Sequence, residues 1–195
     1  MHCNIVTIAR TAGAGGEDLG AAVSKALGFR YVDGEIIDRA AEKAGVSAAT
    51  ISHAEGRKGL LERILENLAL SNLAAPDAPM PVMEGIPGYE QVVVEVIKEV
   101  AAEGKVVIVA HGAGVPLAGA AGLFRVLVTA SVATRAARLP GGAKAVSDSD
   151  KARAEFLQRF YHVDHEHPTH YDVVVNTDVL TTAQATAAVL GAIGA

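Results

Sequence analysis

Cysteine is nearly absent from this chain. Cys3 is the single one in 195 residues, so no internal disulfide can form and no cysteine-based zinc site can be built. A reducing compartment, and so a cytoplasmic location, is expected. Positive charge is also scarce: 17 Lys+Arg stand against 22 Asp+Glu, a net charge of −5. With a pI near 5.8, the chain lacks the basic face of a general nucleic-acid binder. Membrane-type runs are missing too. The charge-free stretch 106–124 contains His111, Pro116, Gly112, Gly114, Gly119 and Gly122, which would break a spanning helix. The opening Met1-His2-Cys3-Asn4 has neither the basic start nor the apolar run of a signal peptide, and no C-terminal anchor is visible. A soluble protein is expected.

What is present is core-forming material. Hydrophobic residues make up 50% of the chain and charged residues 20%, which excludes bulk disorder. The length suits a single domain with an inserted lobe. Asn4-Ile-Val-Thr-Ile8 reads as a strand running into the glycine cluster Gly13-Ala-Gly-Gly16. A helix follows, with Glu17 and Asp18 in its first turn and Gly28 after its last. Phe29-Arg-Tyr-Val32 is a second strand, and a helix should span 35–43. Residues 46–87 read as a helical lobe without strands: Leu60, Leu61, Ile64, Leu65, Leu68 and Leu70 share a helix, and Pro76, Pro79, Pro81 and Pro87 punctuate a loop. A helix over 89–102 leads back to strands at 105–110 and 124–129. Ser131 is a candidate N-cap for a helix ended by Pro140-Gly-Gly. A charged helix from about 150 to 163, a strand at 171–175 and a helix over 181–193 complete the pattern. Five apolar strands with helical crossovers predict a parallel sheet covered by helices on both faces, an α/β/α arrangement.

The glycine cluster after the first strand is the main chemical signal, because such a loop and the helix start behind it offer backbone N–H groups to an anion. The dinucleotide pattern G-x-G-x-x-G fits Gly13 and Gly15 but meets Asp18 at its third position. The pattern G-x-x-x-x-G-K-[ST] fails because no lysine or hydroxyl residue follows the glycines. A turn that only tightens strand–helix packing is the remaining alternative. Neither Ser131 nor Ser147 has the G-x-S-x-G surroundings of a hydrolase nucleophile. His162, His165, His167 and His170 cluster with Asp164 and Glu166, a set chemically suited to a divalent metal but without H-E-x-x-H spacing. A solvated loop, phosphate-contacting histidines and a metal site are its three readings.

The wider pattern resembles the cytidylate kinase-like family of P-loop kinases, relatives of the nucleoside monophosphate kinases. Ile5-Val-Thr-Ile-Ala-Arg-Thr-Ala-Gly-Ala-Gly-Gly16 is similar to that family's opening I-S-R-Q-x-G-S-G-G-R. Leu27-Gly-Phe-Arg-Tyr-Val-Asp-Gly-Glu-Ile-Ile37 is similar to L-G-x-x-x-x-D-x-E-I-I, and Val107-Ile-Val-Ala-His-Gly-Ala113 to V-I-V-G-R-G-A. The resemblance continues through Arg125-Val-Leu-Val-Thr-Ala-Ser131, Asp150-Lys-Ala-Arg153 and Tyr171-Asp-Val-Val-Val-Asn-Thr177, and is weakest over 52–90.

The resemblance implies one P-loop kinase-like domain over 1–195: a five-stranded parallel sheet, an acceptor-binding helical insertion at 46–87 and a lid at 140–170. It implies a phosphotransferase using ATP with Mg²⁺ and a nucleotide or other small phosphate acceptor, CMP being the nominal one. Gly13, Ala14, Gly15 and Gly16 would hold the donor phosphates, with His111 and Arg138 nearby. Arg10, Arg135 and Arg153 would neutralise the transferring group, and Asp33 would face the acceptor. Glu17 and Asp18 are candidates for the metal. Three departures accompany this: Glu17 replaces an arginine, His111 replaces another, and the Walker lysine has no counterpart. A non-catalytic nucleotide- or phosphate-binding regulator on the same fold is therefore the alternative. Homodimerisation through the helix at 60–70 is a second open expectation.

Overall fold

A computed structural model describes residues 3–43 and 89–195. The expected helical insertion at 46–87, with its leucine-rich helix and the dimerisation it suggested, lies outside the described residues.

The sheet has five parallel strands in the order β2-β3-β1-β4-β5. They are β1 (Ile5–Arg10), β2 (Arg30–Asp33), β3 (Val106–Val109), β4 (Leu123–Thr129) and β5 (Val173–Asn176). Strand β1 is central, pairing Ile5 with Val106 on one side and with Leu123 on the other. All six of its residues are buried, which explains its lack of polar alternation. In β3 the pleat divides the residues between two cores: Val106 and Ile108 face one, Val107 and Val109 the other.

The first core is closed by Ile36 and Ala40 of α2 (Glu35–Lys43), Val93 and Ile97 of α3 (Tyr89–Ala102), and Phe156 of α5 (Gly142–Tyr161). Leu19 and Val23 of α1 (Gly16–Leu27), with Ala185 and Val189 of α6 (Thr182–Ile193), close the second. Helix α4 (Val132–Arg138) sits between β4 and α5 in the chain, and Ser131 caps it by accepting the Thr134 N–H, as expected. Each large aliphatic side chain so buried contributes about 1.5–3 kcal/mol.

Element boundaries differ from the sequence expectation in ways that matter to the site. Strand β1 continues two residues past its apolar run, because Ala9 and Arg10 pair with Leu127 and Val128. Arg10 therefore stands at the carboxyl end of the central strand. Helix α5 begins at Gly142, well ahead of the expected start near 150. Gly141, at φ 89°, turns the chain from α4 directly into α5, and the buried Val146 anchors the early turns. Strand β5 starts at Val173, and just before it the Asp172 side chain accepts the Arg125 backbone N–H at 2.8 Å and its guanidinium. Chain connections leave β1 toward β2 on one side and reach β4 on the other, so a crevice opens at the carboxyl ends of the strands beside β1.

Candidate functional site

The loop after β1 is shaped by its backbone. Thr11 N–H donates to Val128 O at 3.0 Å and Ala14 N–H to Thr11 O at 3.1 Å. Gly13 and Gly15 have φ of 80° and 79°, a left-handed conformation that favours glycine. Two carbonyls of the loop are tied down. Arg138 donates to Gly13 O at 3.2 Å, and the Thr177 hydroxyl donates to Ala14 O at 2.8 Å. Arg138 also donates to Thr177 O at 2.8 Å, so the C-terminal ends of α4 and β5 clamp the loop together. Gly15 caps α1 without a side-chain bond. The first-turn N–H groups thus have no partner within the helix and carry its positive end.

This helix start borders a cavity of about 1110 Å³. Its wall includes Gly13, Ala14, Gly15, Glu17, Asp18, Arg10, His111 and Arg138, together with the apolar Leu139, Pro140 and Leu180. A Cβ added at Gly15 would meet no atom within 4 Å and would stand in open space. That loop, its donors and the free space fit a chain of phosphates. Among the described residues no group of three or more His, Cys, Asp or Glu side chains could hold a metal ion. Glu17 is bound to Arg10, which leaves Asp18 at the rim of the pair suggested for a metal. Of that pair, the described residues would thus offer a divalent ion Asp18 as its exposed carboxylate.

Of the residues expected from sequence, Arg10, Gly13, Ala14, Gly15, Glu17, Asp18, His111 and Arg138 meet at this cavity. Gly16 supports it from behind: a Cβ there would lie 2.6 Å from Arg10 Cβ, so only glycine lets the arginine cross the helix start. Arg135, Arg153 and Asp33 do not line the cavity. Both terminal guanidinium nitrogens of Arg135 donate to Asp150 at 2.7 Å, and its Nε donates to Ala130 O at 3.2 Å. Arg153 binds Glu166, donates to Arg10 O at 3.0 Å and approaches His111 Nδ1 at 2.7 Å. Asp33 ends β2, on the far side of β3 from the loop, and accepts the Tyr31 hydroxyl at 3.4 Å.

The electrostatics follow from these pairings. Burial first, then the neighbouring Arg153 and Arg10 charges, holds the His111 imidazole well below its ordinary range. A guanidinium has only donors, so Nδ1 accepts and Nε2 carries the proton. His111 is therefore a neutral wall, not a replacement cation. For Glu166, burial pushes the carboxyl up, but the Arg153 bonds and charge and the Tyr171 hydroxyl outweigh it and hold the group low. Burial, and then Glu166, pushes the Tyr171 hydroxyl up. Glu166 thus belongs to a network around Arg153 and not to a metal cluster. His162 ends α5 in a left-handed conformation, and His167 and His170 close a capping turn over Pro168–His170.

Sequence reasoning missed Thr177, which orients Ala14, and Lys144, which lines the cavity from α5. Thr177 was findable as the residue following the last strand, where α/β ligands bind. Lys144 was hidden by the late start assigned to its helix.

Among solved structures, an uncharacterized protein from Eubacterium ventriosum is similar over 100% of this chain and 99% of its own, at 16% identity with a TM-score of 0.65. Shikimate kinase from Bacteroides thetaiotaomicron is similar over 96% of this chain and 95% of its own, at 16% identity with a TM-score of 0.53. At such identity the likeness shows the fold alone, and that fold is the α/β arrangement of P-loop kinases. No curated protein matches the chain. The pattern of the cytidylate kinase-like family matches residues 5–179, the whole sheet and the glycine loop, and the chain belongs to that family.

Proposed function

We propose that this protein is an ATP-dependent phosphotransferase of the nucleoside monophosphate kinase type, acting in the cytoplasm on a nucleotide or another small phosphate acceptor. The observation that carries this reading is the clamped glycine loop. Its Gly13 and Ala14 carbonyls are held by Arg138 and Thr177, while the uncapped start of α1 borders the cavity. Gly13–Gly16 would hold the donor's phosphates. Mg²⁺ would supply charge neutralisation, and Asp18 would be its carboxylate ligand. Arg10 meets the phosphate charge. Arg138 positions the loop, and Arg153 fixes His111 and the end of β1.

The acceptor would sit on the side of the site where Asp33 ends β2. Its oxygen forms the new bond to the terminal phosphorus as the bond to the ADP oxygen breaks. Helix α5 and the loop behind it, residues 140–170, exclude water. Calorimetric titration of the metal-stripped protein with ATP is the test: micromolar binding strengthened by Mg²⁺ is expected, followed by ADP release in an acceptor screen.

A second reading has its own support. Arg10, Arg135 and Arg153 are each bound to a carboxylate, and no lysine follows the glycine loop. A regulator that binds nucleotide without turnover would show the same calorimetry but release no ADP with any acceptor. Absence of ATP binding defeats the kinase reading and leaves a regulator that binds another phosphorylated ligand.

A further inference from the structure

The Nε of Arg10 donates to the carboxylate of Glu17, the second residue of α1, and both side chains line the cavity. The Arg10 side chain is 10% exposed and that of Glu17 is 45% exposed. A buried cation is thus held by an acid free to swing into water. The arrangement depends on Gly16, whose missing Cβ gives the Arg10 side chain its route across the helix start. Among the described residues, the other basic groups lining the cavity also have partners within the fold. Arg138 donates to the uncharged oxygens of Gly13 and Thr177, Lys144 pairs with Asp148 at 2.6 Å, and His111 is neutral. An arriving polyanion therefore finds the loop's cation already neutralised by an internal anion, beside a helix end that favours either one.

We propose that Glu17 is a built-in competitor of the phosphate ligand, a specificity-determining residue that weakens the binding of bare polyphosphate by occupying Arg10. The proposal rests on the phosphate-binding reading of the cavity given above. Binding requires the Arg10–Glu17 pair to open, after which Glu17 rehydrates and Arg10 turns to the ligand. A polyphosphate whose charge is reduced by Mg²⁺ is less repelled by the displaced carboxylate, so Glu17 favours the metal-bearing form over the bare one.

Calorimetry of metal-stripped protein with inorganic tripolyphosphate tests this, using the unaltered chain, Glu17→Gln and Glu17→Ala, with circular dichroism to confirm folding. Glu155→Gln serves as the control. It also removes one carboxylate, from an exposed pair with Lys151 away from the cavity. Both Glu17 variants should bind about tenfold more tightly, the worth of one partly screened ion pair. Glu155→Gln should change affinity by less than about twofold, and added Mg²⁺ should narrow the gap between Glu17→Gln and the unaltered chain. Equal or weaker binding by the Glu17 variants, or an equal gain in Glu155→Gln, overturns the proposal. A gap that Mg²⁺ leaves unchanged overturns the preference for the metal-bearing form. No binding by any of the proteins overturns the phosphate reading of the cavity and this inference with it, whereas identical binding by all overturns the inference alone.

Discussion

Gly15 meets two demands at once: a φ of 79° and an unfilled space beside its Cα. Gly13 has the conformation but not the space, since a Cβ there would come within 3.0 Å of Arg135 O and a Leu139 side-chain carbon. The two positions should therefore respond differently to alanine. Gly15→Ala should cost about 1 kcal/mol of stability from its left-handed backbone, while binding of a polyphosphate falls by a larger factor because the methyl stands in the ligand's space. Urea unfolding alongside calorimetry separates the two effects. A loss of binding no larger than the stability loss would count against the cradle. The glycines were legible in sequence because the cluster follows an apolar strand. The partner of Arg10 was not, since nothing in the run of residues says that Glu17 folds back onto it.

Helix α5 is held to α4 by Arg135, whose side chain is 5% exposed, while its partner Asp150 is 41% exposed. Removing one partner of a buried pair costs about 3–5 kcal/mol. Rehydration of the exposed Asp150 reduces this, so Arg135→Ala should lose roughly 2 kcal/mol of stability. A urea midpoint that does not move would return Arg135 to the phosphates, the role its family position suggests. Element boundaries were legible wherever local signals were strong. The cap at Ser131, the glycine stop at Gly28, and the helices Glu35–Lys43 and Tyr89–Ala102 appear where expected. The start of α5 was not, because the Ser147–Asp150 stretch imitates a helix beginning and Gly141 does the actual turning. That misplacement concealed Lys144 and with it one wall of the cavity.

At the scale of the whole molecule, pH dependence follows from buried groups held away from their ordinary values. The His111 ring titrates low in the fold, so its contribution is intact above 6.5 and is lost as pH falls below that, when the unfolded chain gains a proton the buried ring refuses. Glu166 titrates below its ordinary 4.5, so its contribution is intact above that value and disappears as pH falls through the depressed one. Unfolding midpoints should thus decline in two stages on acidification. His111→Gln, which keeps an acceptor for Arg153, should flatten the upper stage only. Identical profiles for the two proteins would show that His111 is not buried neutral.

The sequence alone determined the kind of protein: apolar runs too long for alternation require strands buried on both faces, and helix-period segments between them require a parallel sheet with crossovers. It also determined the glycine loop after the first strand, because glycines at a strand end act through backbone geometry that local residues set. Only the tertiary structure decided which charges remain for a ligand. Arg153 reaches the Arg10 carbonyl across 143 residues, Arg138 reaches Gly13 across 125, and Thr177 reaches Ala14 across 163. A long, flexible guanidinium takes whichever acceptor the fold brings within about 3 Å, and that choice depends on packing between elements far apart in the chain.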